Sequence, residues 1–135
     1  MIREKSCGAV VWKKTDRGLL YLVEHMIQGH TSLPKGHVEG QETEEETAIR
    51  EIREETNLEV DLDTGFREVI SYSPYPGCRK DVVFFTARAL DGPQIPQESE
   101  VKALSWLPYE KARKALSYPS DREILDKARI FLSNP

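Results

Sequence analysis

The chain has 135 residues, of which 39% are hydrophobic and 31% are charged, and its formal net charge is −4. This length and composition predict one soluble domain over residues 1–135, and the acidic balance argues against general, charge-driven nucleic-acid binding. The sequence has no apolar run long enough to cross a membrane and no signal-peptide pattern. We therefore expect a cytoplasmic protein in which Cys7 and Cys78 are thiols.

The first third of the chain predicts a β-hairpin followed by a loop. Two β-prone segments, Ser6–Trp12 and Leu19–Val23, are joined by the polar turn Lys13–Gly18. Residues 29–40 then hold three glycines and a proline. Such a composition is typical of a loop whose backbone closely approaches another group.

The next segment, Glu42–Glu55, predicts a helix because it is free of glycine and proline and rich in helix-forming residues. Thr43 and Glu46 have the spacing of a capping box at its start. Asn57 suits the left-handed position that ends a helix.

Three glutamates near the end of this helix share one face at i, i+3 and i+4: Glu51, Glu54 and Glu55. Like charges at these spacings repel, and the helix dipole disfavours anions at this end. One interpretation is a solvated acidic face. The other is a site for Mg²⁺, which takes oxygen ligands and bridges carboxylates to substrate phosphates.

The second half of the chain predicts more strands and then helices. β-prone segments cover Val60–Ser73, Asp81–Ala89 and Val101–Leu107, with loops at Pro74–Lys80 and Asp91–Glu100. Two amphipathic helices are expected near Tyr109–Leu116 and Ser120–Leu132. This order of elements predicts a mixed α/β sandwich.

The segment from Gly36 to Leu58 resembles the Nudix box, G-x5-E-x7-R-E-U-x-E-E-x-G-U, where U is an apolar residue. Every defined position matches except the last glycine, which is Asn57 here. The resemblance implies the Nudix α/β/α sandwich with a mixed β-sheet and Mg²⁺-dependent pyrophosphohydrolase activity, with Mn²⁺ able to substitute.

The resemblance also implies the roles of individual residues. Glu42 and Arg50 would form a structural ion pair, and Glu51 or Glu54 would act as the base, with Lys35 beside them as a further catalytic group. Glu98 is the alternative to Glu100 as the acid contributed by the loop before the last strand. The implied metal ligands are the Gly36 carbonyl, Glu51, Glu54, Glu55 and Glu100.

The run Leu33–Glu39 resembles both the asymmetrically cleaving diadenosine tetraphosphate hydrolases and the bacterial RNA 5′-pyrophosphohydrolases. Within the former group, Gly65–Tyr72 looks like the segment that ends in an adenine-stacking tyrosine. We expect a second aromatic wall from Tyr118. The remaining predicted substrate contacts are His30, Lys35 and the basic pair Arg79 and Lys80.

The leading expectation is hydrolysis of diadenosine tetraphosphate to ATP and AMP, by a monomer or a homodimer whose partner is a small nucleoside polyphosphate. Removal of pyrophosphate from an RNA 5′ end and hydrolysis of nucleoside triphosphates are the enzymatic alternatives. The alternative of another class is a Nudix domain that senses a nucleotide without cleaving it. The choice of base and the number of metal ions stay open.

Overall fold

The strands form one mixed sheet in the computed structural model, which describes residues 1–133. The elements in chain order are β1 (Ile2–Thr15), β2 (Gly18–Met26), β3 (Thr31–Ser32), β4 (Lys35–His37), α1 (Glu44–Thr56), β5 (Val60–Tyr72), β6 (Cys78–Ala89), β7 (Val101–Leu107), α2 (Tyr109–Ala115) and α3 (Pro119–Ser133).

The sheet has the strand order β3-β2-β1-β6-β5, with β4 paired to β1 and β7 paired to β2. The pairing of β1 with β6 is parallel, and the other pairings are antiparallel. A parallel pair needs a long crossover connection. Here the intervening chain, which includes α1 and β5, makes that crossover.

Alternating side chains of the central strands fill two cores, one on each face of the sheet. Val11 and Phe85 pack with Ile52 of α1 on one face. Val10 and Phe84 pack with residues of α2 and α3 on the other face. The predicted α/β/α sandwich with a mixed sheet is therefore confirmed.

The capping pattern of α1 is also confirmed. Thr43 Oγ1 accepts a hydrogen bond from the Glu46 amide at 3.1 Å, and the Glu46 carboxylate accepts one from the Thr43 amide at 2.9 Å. Asn57 has a left-handed φ of 64°, and its amide donates to Arg53 O at 2.8 Å. The helix begins at Glu44 and not at the predicted Glu42. Thr43 is the N-cap residue, and Glu42 lies before it.

The strands extend beyond the predicted segments because distant pairing lengthens them. β6 begins at Cys78, where it pairs in parallel register with the start of β1. Arg79 and Lys80 therefore lie in a strand, whereas the sequence placed them in the preceding loop. The glycine-rich loop likewise contains the short strands β3 and β4.

Both cysteine thiols are free, as predicted, and both are buried. Within residues 1–133, the helices are all too short or too polar to cross a bilayer.

Candidate active site

A cleft of about 690 Å³ opens beside the C-terminal half of α1. We call it the carboxylate cleft. It brings together all five predicted metal ligands and two predicted substrate-binding lysines: Gly36, Glu51, Glu54, Glu55, Glu100, Lys35 and Lys80. Glu98 does not line it.

The three glutamates of α1 form a series that runs from the mouth of this cleft to its floor. The Glu54 side chain is 46% exposed and that of Glu51 is 13% exposed. Glu55 is only 4% exposed as a residue. Their spacing along the helix therefore carries carboxylate oxygens from solvent into the protein interior.

Gly36 lies directly against the Glu51 carboxylate. A Cβ atom built on Gly36 would lie 2.0 Å from Glu51 Cδ and 2.1 Å from Glu51 Oε2. Real Cβ atoms essentially never come so close to another heavy atom, so a side chain at this position would force the carboxylate end of Glu51 to move. The first glycine of the box thus lets the β4 backbone approach a cleft carboxylate.

Arg50 links the start of the box to its end. Its guanidinium donates to both carboxylate oxygens of Glu42, at 2.6 and 3.0 Å, and to His37 O at 2.9 Å. Its Nη1 also donates to Glu51 at 2.8 Å and to Glu54 at 3.2 Å. The hydrogen bond from Arg50 lowers the pKa of Glu42 to about 2. The structure therefore contains the expected ion pair.

The donor set fits a hard divalent cation. Its members supply carboxylate oxygens, which such cations prefer, and Glu55 Oε1 has no hydrogen-bond partner within residues 1–133. Over the same residues, no group of three or more His, Cys, Asp or Glu side chains is placed so that it could hold a metal ion as the side chains stand. Glu51 and Glu54 instead both contact Arg50, and burial raises the pKa of Glu55.

Sequence reasoning missed a second buried glutamate in this region. Glu24, in the middle of β2, is 1% exposed, and burial raises the pKa of its carboxyl group. A further influence on the pKa of Glu24 is the carboxyl group of Glu55. The available signal was an acidic residue directly after the apolar run Tyr21–Val23, within a predicted buried hairpin. Proteins rarely bury an unpaired acid, so its position there is unusual.

The loop that carries Glu100 is fastened to the end of α1. The amide groups of Ile95 and Gln97 donate to the last carbonyls of the helix at 2.8 and 3.1 Å. Asn57 Nδ2 donates to Pro93 O at 2.9 Å, a contact that glycine could not make. Asn57, which replaces the last glycine of the box, therefore adds a contact between the end of α1 and this loop.

A second cleft of about 500 Å³ lies between the sheet and the start of α3. We call it the aromatic cleft. Tyr72 and Tyr118 line it, and the Tyr118 ring is 5.8 Å from the His30 ring. His30 and Lys35 line both clefts, so the two clefts share a wall.

The predicted basic pair is split by the geometry of β6. Lys80 lines the carboxylate cleft, and its pKa is lowered by burial and by the nearby charge of Lys35. Arg79 is exposed and lines neither cleft. Successive strand residues point to opposite faces, so only one of the two can reach the cleft.

Asp121 was also missed by the sequence reasoning. It lies near the start of α3, is buried, and lines the aromatic cleft. Burial raises the pKa of its carboxyl group, and the nearby charge of Lys35 and the Leu33 backbone oppose that shift. A single aspartate in the first turn of an amphipathic helix usually indicates only a favourable interaction with the helix dipole.

Comparison with known proteins agrees with this geometry. The NUDIX domain family model matches residues 3–128. The chain belongs to the Nudix hydrolase family. The prediction of a Nudix pyrophosphohydrolase is therefore confirmed at the level of the family, whose members generally use divalent metal ions and act on small nucleotide substrates.

Several relatives of this Nudix chain have named activities. It is 39% identical over 104 residues to an 8-oxo-(d)GTP phosphatase of Mycolicibacterium smegmatis, matching 77% of this chain but spanning 30% of that relative's length. It is 30% identical over 140 residues to the mouse asymmetrical bis(5′-nucleosyl)-tetraphosphatase, matching 95% of both chains.

A solved structure of a C. elegans Ap4A hydrolase in a binary complex superposes with a TM-score of 0.88. The sequence identity is 26%, and the match covers 98% of this chain and 99% of that one. The whole Nudix fold is thus shared with this hydrolase.

Proposed function

We propose that this Nudix domain hydrolyses a pyrophosphate linkage in a nucleoside polyphosphate, with diadenosine tetraphosphate cleaved to ATP and AMP as the leading reaction. One observation carries the proposal: the aromatic cleft and the carboxylate cleft lie side by side and share the wall formed by His30 and Lys35. A base held in the first cleft would extend its phosphates into the second. The mouse and C. elegans relatives support this substrate class.

Substrate binding would combine stacking with charge. The Tyr72 and Tyr118 rings provide surfaces on which a base stacks, a contact worth about 1–3 kcal/mol. His30 and Lys35 line both clefts and Lys80 lines the carboxylate cleft, so these three residues would contact the phosphate chain. Arg79 has no part in this proposal, because it lies outside both clefts.

A divalent cation, Mg²⁺ in our proposal, would neutralise charge on the phosphoryl oxygens and lower the pKa of an attacking water. Its ligands would come from the α1 glutamates, Glu100 and the Gly36 carbonyl. Arg50 holds Glu51 and Glu54 in place, and Glu42 holds Arg50 in turn.

The reaction needs a proton acceptor and a well-placed leaving group more than a covalent nucleophile. The water oxygen forms a bond to phosphorus as the P–O bond of the anhydride breaks. The water proton passes to a carboxylate of α1, and Glu54 is the most accessible candidate. Lys35, which reaches both clefts, would stabilise charge on the phosphate that departs.

Hydrolysis of a nucleoside triphosphate is the second candidate. The 39% identity to the 8-oxo-(d)GTP phosphatase supports it. Asp121 supports it as well, because a buried carboxylate in the aromatic cleft can accept hydrogen bonds from the N–H groups of a purine base. A cytoplasmic location stays a prediction from the sequence.

A substrate panel tests these proposals directly. The protein would be incubated with Mg²⁺ or Mn²⁺ and diadenosine tetraphosphate, ATP, 8-oxo-dGTP or 5′-triphosphorylated RNA, and the products would be separated by chromatography. We expect ATP plus AMP from diadenosine tetraphosphate. Two ADP molecules would contradict asymmetric cleavage, and inertness towards every compound would favour a nucleotide-sensing domain.

Glu54→Gln is the matched control for this panel. It removes a charge at the mouth of the cleft while keeping the size of the side chain, and Glu54 is half exposed. We therefore expect the variant to fold normally, as measured by circular dichroism, and to lose hydrolysis of every substrate.

A further inference from the structure

The short connection between α2 and α3, residues 116–118, carries one of the two tyrosines of the aromatic cleft, Tyr118. The Tyr118 side chain is half exposed, and its ring lies 5.8 Å from the His30 ring at an interplanar angle of 52°. Exposed connecting segments are usually more mobile than the elements they join. A fixed stacking surface at Tyr118 therefore depends on how the main chain around it is held.

Two reciprocal hydrogen bonds join this connection to β3. The Thr31 amide donates to Ser117 Oγ at 2.8 Å, and the Ser117 amide donates to Thr31 O at 3.0 Å. We call this pair of bonds the Thr31–Ser117 tie. His30 directly precedes one end of the tie, and Tyr118 directly follows the other. The tie therefore lies next to both aromatic rings.

The β3 end of the tie is itself anchored in the sheet. β3 is only two residues long, but the Thr31 side chain extends its contacts to neighbouring strands. Thr31 Oγ1 is hydrogen-bonded to His25 Nδ1 at 3.1 Å, and His25 Nε2 is hydrogen-bonded to Ser105 Oγ at 2.8 Å. These bonds connect the tie to β2 and β7.

The other end of the tie is fixed from α3 by Arg122. The Arg122 guanidinium donates to Leu116 O at 2.7 Å, and the Arg122 amide donates to Tyr118 O at 3.2 Å. All three residues of the connection are thus hydrogen-bonded through their main chain, although the Ser117 and Tyr118 side chains are exposed. The freedom that remains to the Tyr118 ring is rotation of its own side chain.

We propose that Ser117 is a positioning residue for nucleotide binding. Its hydroxyl group completes the tie that holds Tyr118 beside His30, so that the ring is already in place when a base enters the aromatic cleft. A prearranged contact surface binds more tightly because less conformational freedom is lost on binding. The inference rests on the proposed function, in which the base stacks on Tyr118. The alternative is that Ser117 only stabilises the fold, and that alternative predicts no link to Tyr118.

Three substitutions separate these two roles. Ser117→Ala removes the hydroxyl group that accepts from the Thr31 amide, whereas the bond from the Ser117 amide is kept. Ser117→Thr keeps a hydroxyl group and is the matched control. Tyr118→Ala removes the ring that the tie is proposed to hold. Ser117 is exposed, so both of its replacements have room.

The experiment titrates AMP into the isotope-labelled full chain and follows the amide signals by NMR. AMP offers a base but has no anhydride that could be cleaved, and the same spectra check that each variant is folded. We expect Ser117→Ala to weaken AMP binding about 2- to 10-fold, as the loss of one hydrogen bond does, and Ser117→Thr to stay within about 2-fold of the wild type. Tyr118→Ala should weaken it about 5- to 100-fold through lost stacking.

The variant that carries both Ser117→Ala and Tyr118→Ala is decisive. It should bind AMP as the Tyr118→Ala variant does, because both substitutions act on one contact. An equal loss from Ser117→Ala with and without the Tyr118 ring would assign Ser117 a purely structural role.

Other outcomes would also overturn the inference. Wild-type AMP affinity in Ser117→Ala would show that the hydroxyl group positions nothing. A threonine variant as weak as the alanine variant would show that the hydroxyl group is not the part that matters. If the wild type itself bound no AMP, the proposed base-binding role of the aromatic cleft would fail together with this inference.

Discussion

Replacing Gly36 by alanine tests the geometry of the carboxylate cleft most sharply. The added Cβ would lie 2.0 Å from Glu51 Cδ, whereas ordinary contacts begin at 3.4 Å. The Glu51 carboxylate must therefore move by about 1.4 Å, the difference between these distances. Metal–ligand distances tolerate changes of only about 0.2 Å. The same movement would break the hydrogen bond of 2.8 Å between Glu51 and Arg50.

We expect Gly36→Ala to weaken Mn²⁺ binding by about 10- to 100-fold, as disturbed metal-site contacts typically do. We expect a smaller effect on stability, about 1 kcal/mol, because the atoms that must move are the end of a flexible side chain and the main loss is the hydrogen bond between Glu51 and Arg50. Calorimetric titration and thermal melting measure the two effects. Glu51→Ala provides the matched background, because without the carboxylate the new Cβ has room.

A variant that carries both Gly36→Ala and Glu51→Ala tests whether contact between the new Cβ and the Glu51 carboxylate causes the loss of stability. In the Glu51→Ala background, Gly36→Ala should cost little further stability, since the two substitutions act on one contact. An undiminished cost there would assign the effect to the backbone at Gly36. Wild-type affinity and melting temperature in the single variant would refute the close approach itself.

Three further predictions concern other contacts of the site. Glu42→Gln should lower the melting temperature at neutral pH, because it removes the charge paired with Arg50. Since that pairing lowers the pKa of Glu42 from 4.5 to about 2, the difference from wild type should be complete above pH 4.5 and vanish as the pH falls to about 2. A difference that persists unchanged at lower pH would assign the effect to something other than ionisation. Asn57→Gly keeps the left-handed helix end but removes the donor to Pro93. We expect its melting temperature to be unchanged or higher, with faster amide exchange over residues 93–100; wild-type exchange rates would count against the tether. Tyr72→Ala should raise KM by about 5- to 100-fold through lost stacking, whereas Mn²⁺ affinity should stay constant. Equal losses of substrate and Mn²⁺ binding would remove the stacking role.

Some elements could be predicted from the sequence because their signals are local. The ends of α1 follow from Thr43, Glu46 and Asn57, which lie next to the groups they bind. The bounds of β7 also agree with the prediction. By contrast, the start of β6 depends on parallel pairing with β1, and no nearby residue encodes that contact.

Residues of the site that lie in one sequence segment could be predicted, whereas those contributed by distant segments could not. The box places Glu51, Glu54 and Glu55 on one helix, so their common cleft could be foreseen. Glu24 and Asp121 belong to other elements, and only the folded sheet buries Glu24 and places Asp121 in the aromatic cleft. The apolar run before Glu24 marks that residue as unusual, but no sequence neighbour assigns either residue to a site.

The shared wall between the two clefts has a consequence for how this protein can change. Most groups expected to act on the phosphates come from α1, β4 and the loops beside them, with Lys80 on β6, whereas the aromatic cleft is built mainly from β5, β6 and the start of α3. Substitutions in the aromatic cleft could therefore alter the accepted base while leaving the hydrolytic groups in place. His30 and Lys35 are the exceptions, because any change there alters both clefts at once. Mutational divergence of this enzyme, natural or designed, should be freest at Tyr72, Tyr118 and Asp121 and most restricted at that shared wall.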